Sequence, residues 1–164
     1  MRNNDEVIRL SIEEELVFRR MELRDIDEVA VIESASFTSP WTRGMFESEL
    51  GIGYSYFYVG ILRVSGIERI DVVGYTGFWA VVNEGHILNF AVHPQYRRRR
   101  IGVNMINYTL TRMRGLGLNV AYLEVREGNT AAKVLYQIAG FIVTGLRKSY
   151  YSDGENAVVM KKEL

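Results

Sequence analysis

Three runs of β-branched and aromatic residues crowd the middle of the chain, and they restrict its fold more than any other feature. Tyr56 to Val64 and Val72 to Val82 are separated by a break containing Ser65-Gly66, and His86 to Val92 follows and stops at Pro94. Residues of these types pack on a pleated surface, and a glycine-containing break between two such runs signals a hairpin. The period then changes. Between Arg100 and Leu116, Met105, Thr109 and Met113 recur beside Ile106 and Leu110, one face of a helix that Gly115 and Gly117 end. Before the central runs, residues 17–22 read as a strand. In Arg24-Asp25-Ile26-Asp27 an aspartate can cap a helix carrying Val29, Ile32 and Glu33, Phe37 to Pro40 breaks it, and Trp41 to Leu50 starts a second short helix. After them come a strand at Val120 to Val125, a helix at Ala131 to Ala139 closed by Gly140, and strands at Phe141 to Thr144 and Ala157 to Met160. The order is β-α-α-β-β-β-α-β-α-β-β. It implies an α/β (α+β) fold, a mixed and mostly antiparallel central sheet of about seven strands flanked by about four helices, not a doubly wound βα alternation.

A chain of 164 residues with 48% hydrophobic side chains can bury one sizeable core. No Pro/Gly/Ser-rich linker and no internal repeat divides it, so residues 17–164 read as a single domain behind an N-terminal arm, residues 1–16. In that arm Ile8, Ile12 and Leu16 recur at helical spacing. The first 20 residues are too charged for a signal peptide, and no run approaches the roughly 18 apolar residues of a membrane span, so the expectation is a cytoplasmic protein. Twenty Lys plus Arg against 20 Asp plus Glu give no net charge, so neither a membrane surface nor direct nucleic-acid binding is a default expectation. The absence of cysteine removes disulfides, thiolate metal sites and a cysteine nucleophile together. His86 and His93, seven residues apart, make a poor metal site, and no metal is expected.

The stretch from Ile87 to Val103 carries the first chemistry. A strand ends at Pro94, the basic loop Arg97-Arg98-Arg99-Arg100 follows, and a helix begins near Ile101-Gly102-Val103. Helix-start N–H groups, the helix dipole and nearby guanidinium groups together suit a pyrophosphate. On charge alone, four successive arginines are more often a solvated loop; the strand-loop-helix context favours the anion site. The segment resembles the acetyl-CoA-binding signature of the GNAT acetyltransferase superfamily, Gln/Arg-x-x-Gly-x-Gly/Ala after a strand. Arg97 matches its first position and Gly102 its last, but Arg100 stands where the middle glycine is usual. Glycine there lets backbone approach phosphate without Cβ interference, so Arg100 must adopt a conformation open to other residues or shift the loop.

Downstream, Leu123-Glu124-Val125-Arg126 with Asn129 and Ala132, then Leu135-Tyr136 with Gly140-Phe141, resemble the RimI branch, which acetylates N-terminal amines of ribosomal and other proteins. Lys148-Ser149-Tyr150-Tyr151 and Asp153-Gly154-Glu155-Asn156-Ala157 resemble its paired-tyrosine substrate loop and Gly-Glu-Asp-Ala turn, with Asn156 in place of the usual Asp. The resemblance runs from about Val17 to Met160, nearly the whole of a GNAT domain at residues 17–164.

It implies an acetyl-CoA-dependent transferase whose acceptor is a protein or peptide N-terminus, possibly that of a ribosomal protein. Glu124 would be the general base, through a water, because alternation of Ala121, Leu123 and Val125 to one strand face sends Tyr122 and Glu124 to the other. Tyr136 would stabilise the departing thiolate. Phe90, Ala91 and Val92 would offer backbone N–H groups to the thioester and pantetheine arm, Val92 being the oxyanion donor. Arg97, Arg98, Arg99, Arg100, Ile101, Gly102 and Val103 would hold the diphosphate, and Asn129 would touch the cofactor. Phe37, Pro40, Trp41, Tyr150 and Tyr151 would contact the peptide. His86 is placed between a water relay near Glu124 and a strand-entry hydrogen bond. Beside its core-facing neighbours Leu135 and Ile138, Tyr136 has an ordinary packing role as its alternative. A GNAT acting on lysine, polyamine or another small amine, and a non-enzymatic ribosome- or RNA-binding module using Arg97 to Arg100, are the rival functions.

Overall fold

Strand-forming runs fall where the sequence puts them, with one strand more than the pattern predicts. The computed structural model describes residues 5–66 and 70–164. Residues 1–4 of the expected N-terminal arm and residues 67–69, between the first two central runs, lie outside the described residues. The strands are β1 (Glu6–Arg9), β2 (Glu14–Arg20), β3 (Ser55–Val64), β4 (Ile70–Val81), β5 (Glu84–Val92), β6 (Val120–Arg126), β7 (Ile142–Arg147) and β8 (Ala157–Glu163). The helices are α1 (Ile26–Ser36), α2 (Arg43–Leu50), α3 (Ile101–Gly115) and α4 (Thr130–Ile138), with short 3-10 turns at Leu23–Asp25 and Pro94–Tyr96. Among the described residues, eight strands hydrogen-bond in the order β1-β2-β3-β4-β5-β6-β8-β7. β5 and β6 are parallel; β1–β2, β2–β3, β6–β8 and β7–β8 are antiparallel.

The eighth strand corrects the expected seven. Ile8, Ile12 and Leu16 do not form a helix: Ile8 in β1 pairs with Leu16 in β2, and Ile12, 97% exposed, sits in the intervening turn. A tight hairpin puts two inward residues eight positions apart around a turn residue, a spacing that a helix would share.

The described chain forms two compact units. One holds the chain up to Gly77 together with Asn89–Met105; the other holds Phe78–Leu88 and Ile106–Leu164. The first unit buries Leu16, Val17 and Phe18 of β2, Val29 and Ile32 of α1, and an aromatic cluster in which Phe46 lies 5.6 Å from Tyr75 and 5.4 Å from Trp41. Asp25 stands at the head of α1, yet its carboxylate takes the Glu22 N–H at 2.8 Å and a two-pronged pair from Arg19 at 2.6 and 2.7 Å.

In the second unit, β6 alternates as expected: Ala121, Leu123 and Val125 are buried and Tyr122, Glu124 and Arg126 face outward. The expected face of α3 is buried throughout, from Met105 to Met113. On α4 the expectation needs correction. Tyr136 is the buried residue, whereas Leu135 is only half-buried and Ile138 is 70% exposed. A nine-residue helix offers its core about one residue per turn, and Phe141 beyond Gly140 fills the place beside Tyr136, with the rings 5.8 Å apart. Among the described residues, no helix is long and apolar enough to cross a membrane.

Candidate active site

The basic loop begins where β5 ends. His93 Nδ1 accepts from the Gln95 N–H at 3.3 Å, and Pro94 opens the 3-10 turn that leads into the arginines. Arg98 and Arg100 take φ of +65° and +61°, the left-handed region that favours glycine. Arg100 therefore resolves the mismatch with the glycine signature by adopting a glycine-like backbone, immediately before α3 begins at Ile101. The other two arginines contact other parts of the protein. Arg97 Nε donates to the Val92 carbonyl at 3.0 Å and its guanidinium to Ser36 Oγ at 3.2 Å, while Arg99 pairs with Glu14 at 2.6 Å and lies over Tyr96 at 5.6 Å. Arg97 thus ties the loop to the carbonyl of the residue expected to hold the oxyanion; Arg97, Arg98 and Arg100 are exposed and Arg99 is half-buried. Ile101 is buried and anchors the first turn of α3, in which Gly102 and Val103 are half-buried. Along β5, Ala91 is buried whereas Phe90 and Val92 face outward.

Phe37, Pro40 and Trp41 lie between α1 and α2. Phe37 closes α1, its N–H donating to the Glu33 carbonyl at 3.0 Å; Pro40 is exposed; Trp41 packs on Phe46 and on Phe57 at 6.0 Å. Trp41 is therefore partly a core residue and partly an outer wall. It lines an open depression with Thr42, Met45 and Ser48.

In the second unit the structure brings together Glu124, Tyr136, Tyr150 and Tyr151. The Glu124 side chain is 26% exposed, and its Oε1 lies 3.2 Å from an Arg147 guanidinium nitrogen. Arg147 also lies over Tyr150 at 5.5 Å, and the Tyr150 and Tyr151 rings meet edge to face at 5.1 Å. Arg126 stacks over Tyr151 at 4.0 Å and holds both Asp153 and Glu155 at 2.7 Å. Burial pushes the Tyr151 phenol up; Arg126 opposes, and Tyr150 with the Glu124 and Glu155 carboxylates adds to the rise. Tyr136, only 6% exposed, is raised above the ordinary phenol range by burial and further by Tyr151, so it is a neutral hydroxyl at any physiological pH.

The tyrosine loop is pinned at its base. Asn156 donates to Glu127 at 2.9 Å and accepts from the Ser149 N–H at 2.9 Å; Glu155 accepts from the Gly128 N–H at 2.9 Å. Asn156 uses an amide donor that an ionised aspartate would lack. Asn129 caps α4, its side-chain oxygen accepting from the Ala132 N–H at 3.1 Å. His86 makes a strand-entry contact, its Nε2 3.0 Å from Glu84 and its ring stacked on Tyr122 at 5.4 Å. Among the described residues, no group of three or more His, Cys, Asp or Glu is placed to hold a metal ion.

Arg147, and any role for Arg126 beyond its place in the motif, escaped the sequence reading. The two arginines flank Ala157 in the sheet register, Arg126↔Ala157 on one side and Arg147↔Ala157 on the other, so their juxtaposition exists only after β8 has paired with both neighbours.

Residues 26–141 match the family model described as the acetyltransferase (GNAT) family. A Bacillus subtilis (strain 168) protein provisionally named ribosomal protein bS18-alanine N-acetyltransferase is 36% identical over 143 residues, 87% of this chain and 91% of its own length. The crystal structure of the ribosomal-protein-S18-alanine N-acetyltransferase from Escherichia coli superposes with a TM-score of 0.78 at 26% identity, covering 90% of this chain and 93% of that one. Ard1 from Thermoplasma volcanium gives a TM-score of 0.81 at 28% identity, covering 91% and 97%.

Proposed function

The chain belongs to the GNAT acetyltransferase family, and from that premise we propose that it transfers the acetyl group of acetyl-CoA to the N-terminal amine of a protein, with an alanine-initiated ribosomal protein as the first substrate to try. Relatives bearing the name of bS18-alanine N-acetyltransferase support that choice of acceptor. The observation that carries the reading is the cluster of Glu124, Arg147, Tyr150, Tyr151 and the buried Tyr136 on one unit, at the strand and loop that the RimI resemblance assigns to chemistry and peptide.

In this reading the amine nitrogen attacks the acetyl carbonyl carbon, a C–N bond forms, the C–S bond breaks and CoA leaves as thiolate. The proton of the incoming ammonium passes to Glu124 through a water, and the second proton, which the nitrogen sheds as the amide forms, ends on the CoA thiolate. An α-ammonium has a pKa of about 7.7–8.0 and a lysine about 10.4, a difference of roughly 3.4 kcal/mol in the cost of deprotonation. That difference favours α-amines. The Val92 N–H receives the developing oxyanion, and the neutral Tyr136 hydroxyl donates to the departing sulfur. Arg98 and Arg100, with the first turn of α3, receive the diphosphate, and Asn129 contacts the cofactor.

Two features count against the rivals. Asp153 and Glu155 are held by Arg126, so they do not form an acidic pocket for a polyamine. Arg97 and Arg99 are engaged with Val92, Ser36 and Glu14, which halves the apparent phosphate patch of an RNA-binding module. The cytoplasm is the setting of this reading, with neither a membrane nor a nucleic acid as direct partner.

The test is mass spectrometry of alanine-initiated peptides containing an internal lysine after incubation with acetyl-CoA. Acetyl on the α-amine supports the proposal; acetyl confined to the lysine, or none, overturns it.

A further inference from the structure

A carboxylate outside the chemistry described above is almost wholly buried. Glu33, on the inward stripe of α1 with Val29 and Ile32, is 1% exposed. Its Oε1 accepts from the Trp41 backbone N–H at 2.9 Å and from the Asn89 side-chain amide at 3.4 Å, and its Oε2 accepts from the Tyr75 hydroxyl. The Glu33 carbonyl also takes the Phe37 N–H at 3.0 Å. Burying a carboxylate costs several kcal/mol unless donors surround it, and an apolar residue in this stripe would pack without that cost. The donors that offset the cost come from places far apart in sequence: the segment between α1 and α2, β4, and β5 one residue before Phe90. The Tyr75 phenol is itself raised by burial and by the Glu33 carboxylate, so it remains a donor.

We propose that Glu33 is the positioning residue of the acceptor site: its carboxylate fixes the Phe37–Trp41 segment against β4 and β5 and so presents the peptide-contacting side chains. The proposal rests on the reading of Phe37, Pro40 and Trp41 as acceptor contacts. Glu33 touches neither peptide nor acetyl-CoA and acts through the Trp41 backbone. Its removal loosens acceptance of the peptide and leaves the diphosphate loop in place, because Arg97 and Arg99 anchor that loop to Val92, Ser36 and Glu14 instead.

The test compares wild type, E33A and E33Q with an alanine-initiated peptide as the varied substrate at saturating acetyl-CoA, with the Kd of acetyl-CoA measured separately. E33A is expected to raise the peptide KM roughly tenfold, with acetyl-CoA affinity within about twofold of wild type. E33Q keeps the shape and one acceptor oxygen for the Trp41 N–H, and is expected to restore most of the loss, leaving the KM about threefold above wild type. If E33A does not fold, E33Q decides alone. An unchanged peptide KM in E33Q, or acetyl-CoA affinity falling in step with peptide KM, overturns the proposal while the function stands. A wild-type protein inactive on every α-amine overturns the function and this proposal with it.

Discussion

Replacing Arg100 by glycine should make the protein more stable, although it deletes a charged side chain at the head of a helix. Arg100 holds φ at +61° one residue before α3. A residue with a Cβ loses about 1–2 kcal/mol in that region relative to the right-handed one. Glycine escapes this penalty but has more unfolded-state freedom to lose, about 0.5–1 kcal/mol. The net expectation for Arg100→Gly is a gain of about 0.5 kcal/mol, or roughly 1–2 °C in Tm for a chain of this length. Arg100→Ala keeps the Cβ strain and should sit at or below wild type. Arg100→Val adds branching at the same φ and should lose more than 1 kcal/mol. Both Arg100→Gly and Arg100→Ala remove a unit charge near the expected diphosphate; at about 5 Å in a watery loop this is worth roughly 1 kcal/mol, a fivefold weaker Kd for CoA that shrinks in high salt. Differential scanning fluorimetry and isothermal titration read the two effects separately. A glycine variant melting below the alanine variant would refute the left-handed backbone, and CoA binding unaffected by either would take the guanidinium out of the site.

Gly77→Ala should be costly, because a Cβ there would lie 2.2 Å from a ring carbon of Phe57, which is packed against Phe46 and Trp41; a loss of about 2 kcal/mol, or roughly 4–8 °C in Tm, is expected by thermal melting. Burial pushes the Asp25 carboxyl up, but the Arg19 hydrogen bond and the Glu22 N–H together outweigh it, so its pKa lies below the ordinary range. Its contribution is therefore complete above the unfolded value of about 3.9 and disappears as pH falls through the folded one. Asp25→Asn should accordingly be destabilised by about 2 kcal/mol at pH 7, with the gap to wild type closing in urea titrations as the pH drops below about 4. Tyr136→Phe should lower turnover roughly 10- to 100-fold with acetyl-CoA affinity within about twofold; an equal loss in binding would make Tyr136 a packing residue only.

What was legible from sequence was what repeats locally. The alternation of β6 gave the outward face of Glu124, and the period of α3 gave its buried stripe, because each depends only on the geometry of one element. The signature and motif residues fell on the strand ends, loop and helix heads expected of them. What stayed hidden depends on register or on a charge's surroundings. Arg147 reaches Glu124 because Gly145 and Glu124 both pair with Val159, and no local pattern encodes that. Arg97 and Arg99 look like Arg98 and Arg100 in sequence; only the folded chain shows that Arg97 and Arg99 are the pair bound to Val92, Ser36 and Glu14. Glu33 had a visible signal, a charge on the apolar stripe of α1, but its three donors lie up to 56 residues away. The N-terminal hairpin was missed because four-residue spacing fits a helix and a turn between two strands alike.

Acetyl transfer at this site depends on the acceptor proton going to Glu124. Steady-state turnover and acetyl-CoA affinity of Glu124→Gln, measured side by side from pH 6 to 9 on an alanine-initiated peptide, test it. The expected result is a loss of turnover of roughly 100-fold or more with the cofactor bound as in wild type. Full turnover across that range would contradict it.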